Sequence, residues 1–210
     1  MSRFSTTGGE GLFLVVSAPS GTGKTTICRE VMKMYPGLRF STSYTSRPPR
    51  PGEVNGRDYF FVSREEFEAM ACRGEFVEWA ENYGQLYGTA VSVLDAYVED
   101  KRDVILDVDP RGAKAIKARY PDAVFVFILP PSLDELKNRL KNRGHEDEEA
   151  LKRRFGNAVA EMGEVVWYDY VVFNDTLPEA VDLLRAIYLA EKNRRSRRKA
   201  DIEKLIIDRR

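Results

Sequence analysis

Leu12 to Val16 is an uninterrupted apolar run with β-branched residues, which predicts a strand buried on both faces, as in a parallel sheet. A glycine-rich turn, Ala18 to Gly23, follows it. Lys24 to Tyr35 then carries Ile27, Val31, Met32 and Met34, a pattern that suits a helix stopped by Pro36-Gly37. Three more short apolar runs read as strands: Val104 to Leu106 leading into Asp107-Val108-Asp109, Val124 to Leu129 leading into Pro130-Pro131, and Val171 to Phe173 ending at Asn174-Asp175. Helical stretches are predicted over Ala113–Arg119, Leu133–Asn142 and Glu149–Met162. In the second of these Leu133, Leu136 and Leu140 share a face, and Ser132 followed by Glu135 is a capping-box start. A last long helix begins near Pro178, with Ala180, Val181, Leu184, Ile187 and Tyr188 on one face. Strands alternating with helices predict an α/β fold with a mostly parallel sheet flanked by helices.

From Ser41 to about Leu94 the alternation stops. This stretch is rich in Gly, Pro and aromatic residues, Tyr83 among them, and holds strand-like pieces at Asp58–Val62 and Gly74–Trp79. It reads as a small mixed-β insertion in the α/β core. No internal repeat is visible.

Composition narrows the function. The 210 residues, 43% hydrophobic, are enough to bury a sizeable core. Lys+Arg and Asp+Glu number 33 each, so the chain lacks the basic excess of a protein that coats nucleic acid by charge, and no nucleic-acid partner is expected. Two cysteines, Cys28 and Cys72, make neither a disulfide framework nor a four-thiolate zinc site, and the single histidine, His145, excludes a multi-histidine metal site. No apolar run approaches the ~20 residues of a membrane span. Met1 to Gly11 is polar and lacks the apolar core of a signal peptide, so the expected compartment is the cytoplasm. Lys192, Arg194, Arg195, Arg197, Arg198 and Lys199 form a basic tail, read as a solvated helix end.

Ala18-Pro19-Ser20-Gly21-Thr22-Gly23-Lys24-Thr25, followed by Thr26, fits the phosphate-binding pattern G-x-x-x-x-G-K-[ST], with Ala18 at the first glycine position. Glycines let successive backbone N–H groups turn inward on phosphate oxygens, and the following helix adds its positive N-terminal end. The pattern assigns Lys24 to the β- and γ-phosphates of a nucleoside triphosphate and the Thr25 hydroxyl to Mg²⁺. Asp107, ending a buried strand beside this loop, is placed to hold Mg²⁺ or its waters.

The insertion carries a second motif. Thr45-Ser46-Arg47-Pro48-Pro49-Arg50-Pro51-Gly52-Glu53-Val54-Asn55-Gly56-Arg57-Asp58-Tyr59-Phe60-Phe61-Val62 resembles the guanylate kinase signature along its whole length. Gly74 to Trp79, Tyr87-Gly88-Thr89, Ile105 to Asp109 and Arg143-Gly144 are similar to the same family, so the resemblance runs from about Gly11 to Leu189. The residue chemistry is coherent by itself. Arg47 and Arg50 are two guanidinium forks on a proline-stiffened turn, suited to a dianionic monophosphate, and Tyr59 and Tyr87 offer hydroxyls to it. The resemblance implies that Glu78 accepts from N1–H and N2–H₂ of guanine, that Ser43 and Thr89 place hydroxyls near O6, and that Asp109 helps read the N2 amino group. It also implies a mobile helical lid whose Arg139, Arg143 and Arg154 meet the donor phosphates; Asn174-Asp175 would border the adenine pocket.

The resemblance thus implies Mg²⁺-dependent phosphoryl transfer from ATP to GMP; the sequence leaves open whether dGMP is also accepted. Its organisation would be a core (1–40, 96–132, 164–193) with a GMP-binding insertion at 41–95, a lid at 133–163 and the basic tail at 194–210. Two alternatives have distinct signs. A non-catalytic binding module on this scaffold has no use for the intact Gly21 to Thr25 loop. A kinase for another phosphate acceptor has no use for the Arg47–Tyr59 signature and Glu78.

Overall fold

The computed structural model describes residues 11–82, 84–142 and 148–207. Arg143, His145 and Tyr83 lie outside them. In chain order the elements are β1 (Phe13–Ser17), α1 (Lys24–Met34), β2 (Leu38–Phe40), β3 (Tyr44–Thr45), β4 (Phe60–Phe61), α2 (Arg64–Cys72), β5 (Phe76–Asn82), β6 (Gln85–Ala90), α3 (Val91–Glu99), β7 (Asp103–Asp107), α4 (Pro110–Arg119), β8 (Val124–Leu129), α5 (Leu133–Asn142), α6 (Glu148–Met162), β9 (Tyr170–Phe173), α7 (Leu177–Lys192) and α8 (Lys199–Ile207). A 3-10 turn, Gly163–Trp167, joins α6 to β9.

Five strands form a wholly parallel sheet in the order β2-β7-β1-β8-β9. β1 lies at its centre and is buried at every position, which is why its sequence is apolar without alternation. One face packs on α1 and α7 through Ile27, Val31, Leu184 and Tyr188. The other packs Val15, Leu106 and Phe127 beneath Leu94, Ala113, Ile116 and Tyr168. At the amino edge of the sheet the buried Asp103 accepts from Tyr188 Oη at 2.8 Å and pairs with Lys192 Nζ at 2.6 Å, fixing α7 to β7. β1, β7 and β9 all deliver their carboxyl ends to one edge, the usual ligand edge of an open α/β sheet.

The insertion is a second, four-stranded sheet in the order β4-β3-β6-β5. It is mixed: β3 runs parallel to β4, while β6 is antiparallel to β3 and β5. Helices α5 and α6 form a separate pair joined by Leu136, Leu140 and Ala158. The Ser132 hydroxyl accepts from the Glu135 N–H at 3.1 Å, the start signal seen in the sequence.

The expected core elements are present, and the structure adds others. The predicted strand at Asp58–Val62 shrinks to Phe60–Phe61, because Asn55 to Tyr59 is spent on a turn in which Asp58 accepts the Val54 N–H at 2.8 Å. β2 is three residues long, too short for any period to show. β6, Gln-Leu-Tyr-Gly-Thr-Ala, is specified by its hairpin with β5 rather than by a clear alternation of its own. Helix α2 starts at a Ser63 cap on the Glu66 N–H and buries Phe67 and Met70. Helix α3 follows β6 directly and buries Leu94. The basic tail turns into α8, none of whose residues is buried. Among the described residues no helix is long and apolar enough to cross a membrane.

Candidate active site

The turn between β1 and α1 is tight, and its Thr22 N–H donates to the Pro19 carbonyl at 3.3 Å. Gly21 and Gly23 both have φ +92°, a region that disfavours side chains, and a Cβ on Gly23 would lie 2.8 Å from Asn174 Nδ2. The buried Thr22 hydroxyl donates to the Pro19 carbonyl at 2.8 Å. Asn174, at the end of β9, donates from Nδ2 to the Thr22 carbonyl at 2.6 Å, so this carbonyl is turned away from the space a phosphate would need. Arg139 on α5 donates through both terminal nitrogens to the Asn174 carbonyl at 3.2 Å, and its Nε reaches Glu135 at 2.7 Å. The adjoining helical pair is therefore tied to the loop through Asn174.

At the start of α1, Lys24 Nζ lies 2.5 Å from Asp107 Oδ1 and donates to the Val108 carbonyl at 2.9 Å. Thr25 Oγ1 donates to Asp107 Oδ2 at 2.7 Å. A hydroxyl and a carboxylate side by side are hard oxygen donors, suited to a divalent cation such as Mg²⁺. Among the described residues no group of three or more His, Cys, Asp or Glu converges as a metal cage.

Across a cleft of about 790 Å³ stands the mixed sheet. Glu78 on β5 pairs in register with Thr89 on β6, and the buried Thr89 hydroxyl donates to Glu78 Oε1 at 2.5 Å. Burial pushes the Glu78 carboxyl pKa up, the Thr89 hydroxyl draws it back, and the nearby Asp109 charge raises it. Asp109 caps α4, its Oδ1 accepting the Gly112 N–H at 2.7 Å. Gly112 leaves room for Glu78: a Cβ there would sit 3.0 Å from Glu78 Oε2.

The signature turn is closed on itself. Arg47 pairs with Glu53 at 2.9 Å, donates to the Pro48 carbonyl at 2.7 Å, and lies 5.4 Å from the centre of the Tyr59 ring. The pairing with Glu53 raises the Arg47 pKa further. The Arg50 backbone N–H donates to the other Glu53 oxygen at 2.7 Å, and its side chain is exposed. The Tyr59 and Tyr87 rings meet edge to face, 6.1 Å apart.

Lys24, Thr25, Ser20, Asp107 and Arg154 line the loop side of the cleft, and Ser43, Tyr59, Glu78, Tyr87 and Asp109 line the rest. Arg154 Nη2 reaches Ser20 Oγ at 3.4 Å. Ala18, Pro19, Gly21, Thr22, Gly23 and Thr26 shape the loop without lining the cleft, and Arg47, Arg50, Thr89 and Arg139 are not among the residues lining it either. Several site residues were not picked out by the sequence reading, among them Arg29 and Asp58 on the cleft wall. Glu161, its carboxyl pKa raised by burial and by Asp109, lines the cleft on the same helical face as Arg154, which stands seven residues before it, a spacing that could have found it. Glu53 sat in the signature as an unassigned acid. Gly112 had no signal. Asn174 was expected at an adenine pocket; its side chain is 6% exposed and committed to the loop carbonyl.

The sequence profile of the family described as guanylate kinase matches residues 11–191. A guanylate kinase of Syntrophus aciditrophicus is 50% identical over 193 residues, covering 92% of this chain and 93% of the relative. One from Symbiobacterium thermophilum is 48% identical over 199 residues, covering 95% and 94%. The crystal structure of guanylate kinase from Anaplasma phagocytophilum superposes with a TM-score of 0.71 at 30% identity, over 92% of both chains.

Proposed function

The chain belongs to the guanylate kinase family and is an ATP:GMP phosphotransferase, and we propose the following roles for its residues. The loop from Ala18 to Thr26 takes the ATP phosphates on its backbone N–H groups, with Lys24 leaving Asp107 for the β- and γ-phosphates. Arg47, Arg50, Tyr59 and Tyr87 take the GMP phosphate, Arg47 exchanging its Glu53 partner for the dianion. Glu78 accepts from both donors on the guanine edge, Ser43 lies near O6 and Asp109 near the amino group. Thr89 has a supporting part besides its place near O6: its hydroxyl donates to Glu78 and orients the carboxylate.

Arg139, Arg143 and Arg154 belong to a lid, segment 133–163, that closes with the 41–95 insertion and brings cations to the transferring phosphoryl group while excluding water. Thr25 and Asp107 would hold Mg²⁺, which when bound offsets charge on the phosphate oxygens. The attacking group is a GMP phosphate oxygen, anionic at neutral pH, so no side chain has to act as a general base. Catalysis is positioning and electrostatic stabilisation. We place the protein in the cytoplasm with its nucleotide substrates; dGMP, with the same base and phosphate, is a second acceptor.

The observation that carries the acceptor assignment is the Glu78 carboxylate, half-buried and held by Thr89, facing the same cleft as Lys24. Glu78→Gln puts an amide donor where an acceptor is needed. It should cost roughly 2–4 kcal/mol of GMP recognition. IMP lacks the N2 amino group and should lose less, so the GMP-to-IMP ratio of kcat/KM should shrink. A ratio held at the wild-type value would remove Glu78 from base recognition and leave Asp109 as the reader.

A further inference from the structure

Arg29 stands on α1 one turn beyond Thr25, with its side chain exposed on the wall of the cleft. More carboxylates than cations line this cleft, although both substrates are anions. The other cations on its wall are engaged: Lys24 with Asp107, Arg57 with Asp58 and Arg154 with Ser20. Arg29 has no hydrogen bond or ion pair among the described residues.

The same cleft is lined on the insertion side by Asp58, next in sequence to Tyr59. Its Oδ2 is saturated, accepting from the Val54 N–H at 2.8 Å and from Arg57 Nε and Nη2 at 3.0 and 2.9 Å. Its Oδ1 has no hydrogen bond among the described residues. The Val54 N–H and Arg57 hold the Asp58 carboxyl below its ordinary pKa, and the charge of Arg29 adds to this. An anion with one open oxygen and a cation with no partner thus face the cleft from its two walls, one on the insertion and one on a rigid helix of the core.

We propose that Arg29 is a positioning residue: on closure its guanidinium pairs with Asp58 Oδ1 and fixes the end of the insertion that carries Tyr59 over the acceptor phosphate. The proposal rests on Tyr59 contacting that phosphate. Arg29 itself touches neither nucleotide. Because α1 begins at the phosphate loop, the pair also sets the distance between the acceptor clamp and the donor loop.

The test uses Arg29→Gln, Arg29→Lys, Asp58→Asn and the Gln/Asn double variant, each checked by thermal melting. KM for GMP and kcat are measured by ADP release, and ATP affinity is measured without GMP by calorimetry. Arg29→Gln should raise KM for GMP by about fivefold, the upper range for a solvent-accessible ion pair. ATP affinity should be unchanged, Arg29→Lys should recover most of the loss, and the double variant should be no worse than the weaker single variant. An unchanged KM, losses that multiply in the double variant, or a parallel loss of ATP affinity would overturn the proposal. Failure of the wild type to phosphorylate GMP would instead overturn the functional reading itself.

Discussion

Lys24 is held by two acceptors of the core, the Asp107 carboxylate and the Val108 carbonyl, and a triphosphate has to take it from both. The proposed exchange trades one carboxylate and one neutral carbonyl for phosphate oxygens, which would place the charge where phosphoryl transfer needs it. Lys24→Ala should lower kcat by about 10²–10³, in line with loss of one preorganised transition-state donor. The fold should persist, since Asp107 keeps the Thr25 hydroxyl; steady-state kinetics beside a melting curve check both parts. Glu78 gives a pH signature. Its carboxyl titrates above the ordinary carboxylate range, chiefly through burial. The native state therefore holds that proton where the unfolded chain has released it, and stability falls as pH rises from the ordinary carboxylate pKa through the raised one. Base recognition runs the other way, because a protonated carboxyl cannot accept both guanine donors. The acid limb of kcat/KM for GMP should have its midpoint above about 4.3, the unperturbed Glu value. Glu78→Gln should abolish that limb and melt higher than wild type at neutral pH; an acid limb unaltered in the variant would assign it to another group. Lys24 and Thr25 were legible on the cleft wall because they belong to a local motif at the end of a strand and the start of a helix. The Thr89 bond to Glu78 depends on the β5–β6 register, and Gly112 depends on a helix from the other sheet, neither of which leaves a local pattern.

Helix α4 belongs to the core, yet its first turn completes the acceptor pocket. Asp109 caps it, and Gly112, in that turn, sits against the Glu78 carboxylate. Alanine suits a helix interior better than glycine, so Gly112→Ala should leave the helix intact. Its Cβ would crowd Glu78 at 3.0 Å and push the carboxylate off the Thr89 hydroxyl. KM for GMP should rise several-fold with ATP affinity unchanged, as kinetics and ATP titration would show; equal losses for both substrates would mean that α4 itself had shifted. Core elements were legible because β1, β7, β8 and the helices between them carry clean periods and stops. In the insertion, β3, α2, β6 and α3 were missed: short elements there draw stability from stacked aromatics such as Phe67 on Phe76, 4.4 Å apart, rather than from a repeating face. Aromatic-rich composition marked the region but not its register.

At the scale of the whole molecule, an evenly charged chain keeps three cations of the proposed site paired with carboxylates, from which the proposed mechanism has two anionic substrates draw them. Lys24 waits on Asp107, Arg47 on Glu53 and Arg139 on Glu135. The parallel sheet gathers the donor loop, Asp107 and Asn174 at one edge, and the mixed sheet brings Glu78 and the tyrosines across from them. This division was visible in the sequence as an α/β alternation broken by one aromatic stretch, whereas α8 lies beyond the family's matched range and no motif announced it. The central claim is transfer of one phosphoryl group from ATP to GMP in preference to other monophosphates. The most direct measurement supplies γ-labelled ATP and Mg²⁺ with an equimolar mixture of GMP, AMP, UMP and dTMP, and separates the products. The account predicts label on the β-phosphate of GDP, with an equal yield of ADP. Label on another diphosphate, or released as inorganic phosphate while GMP remains, would contradict it.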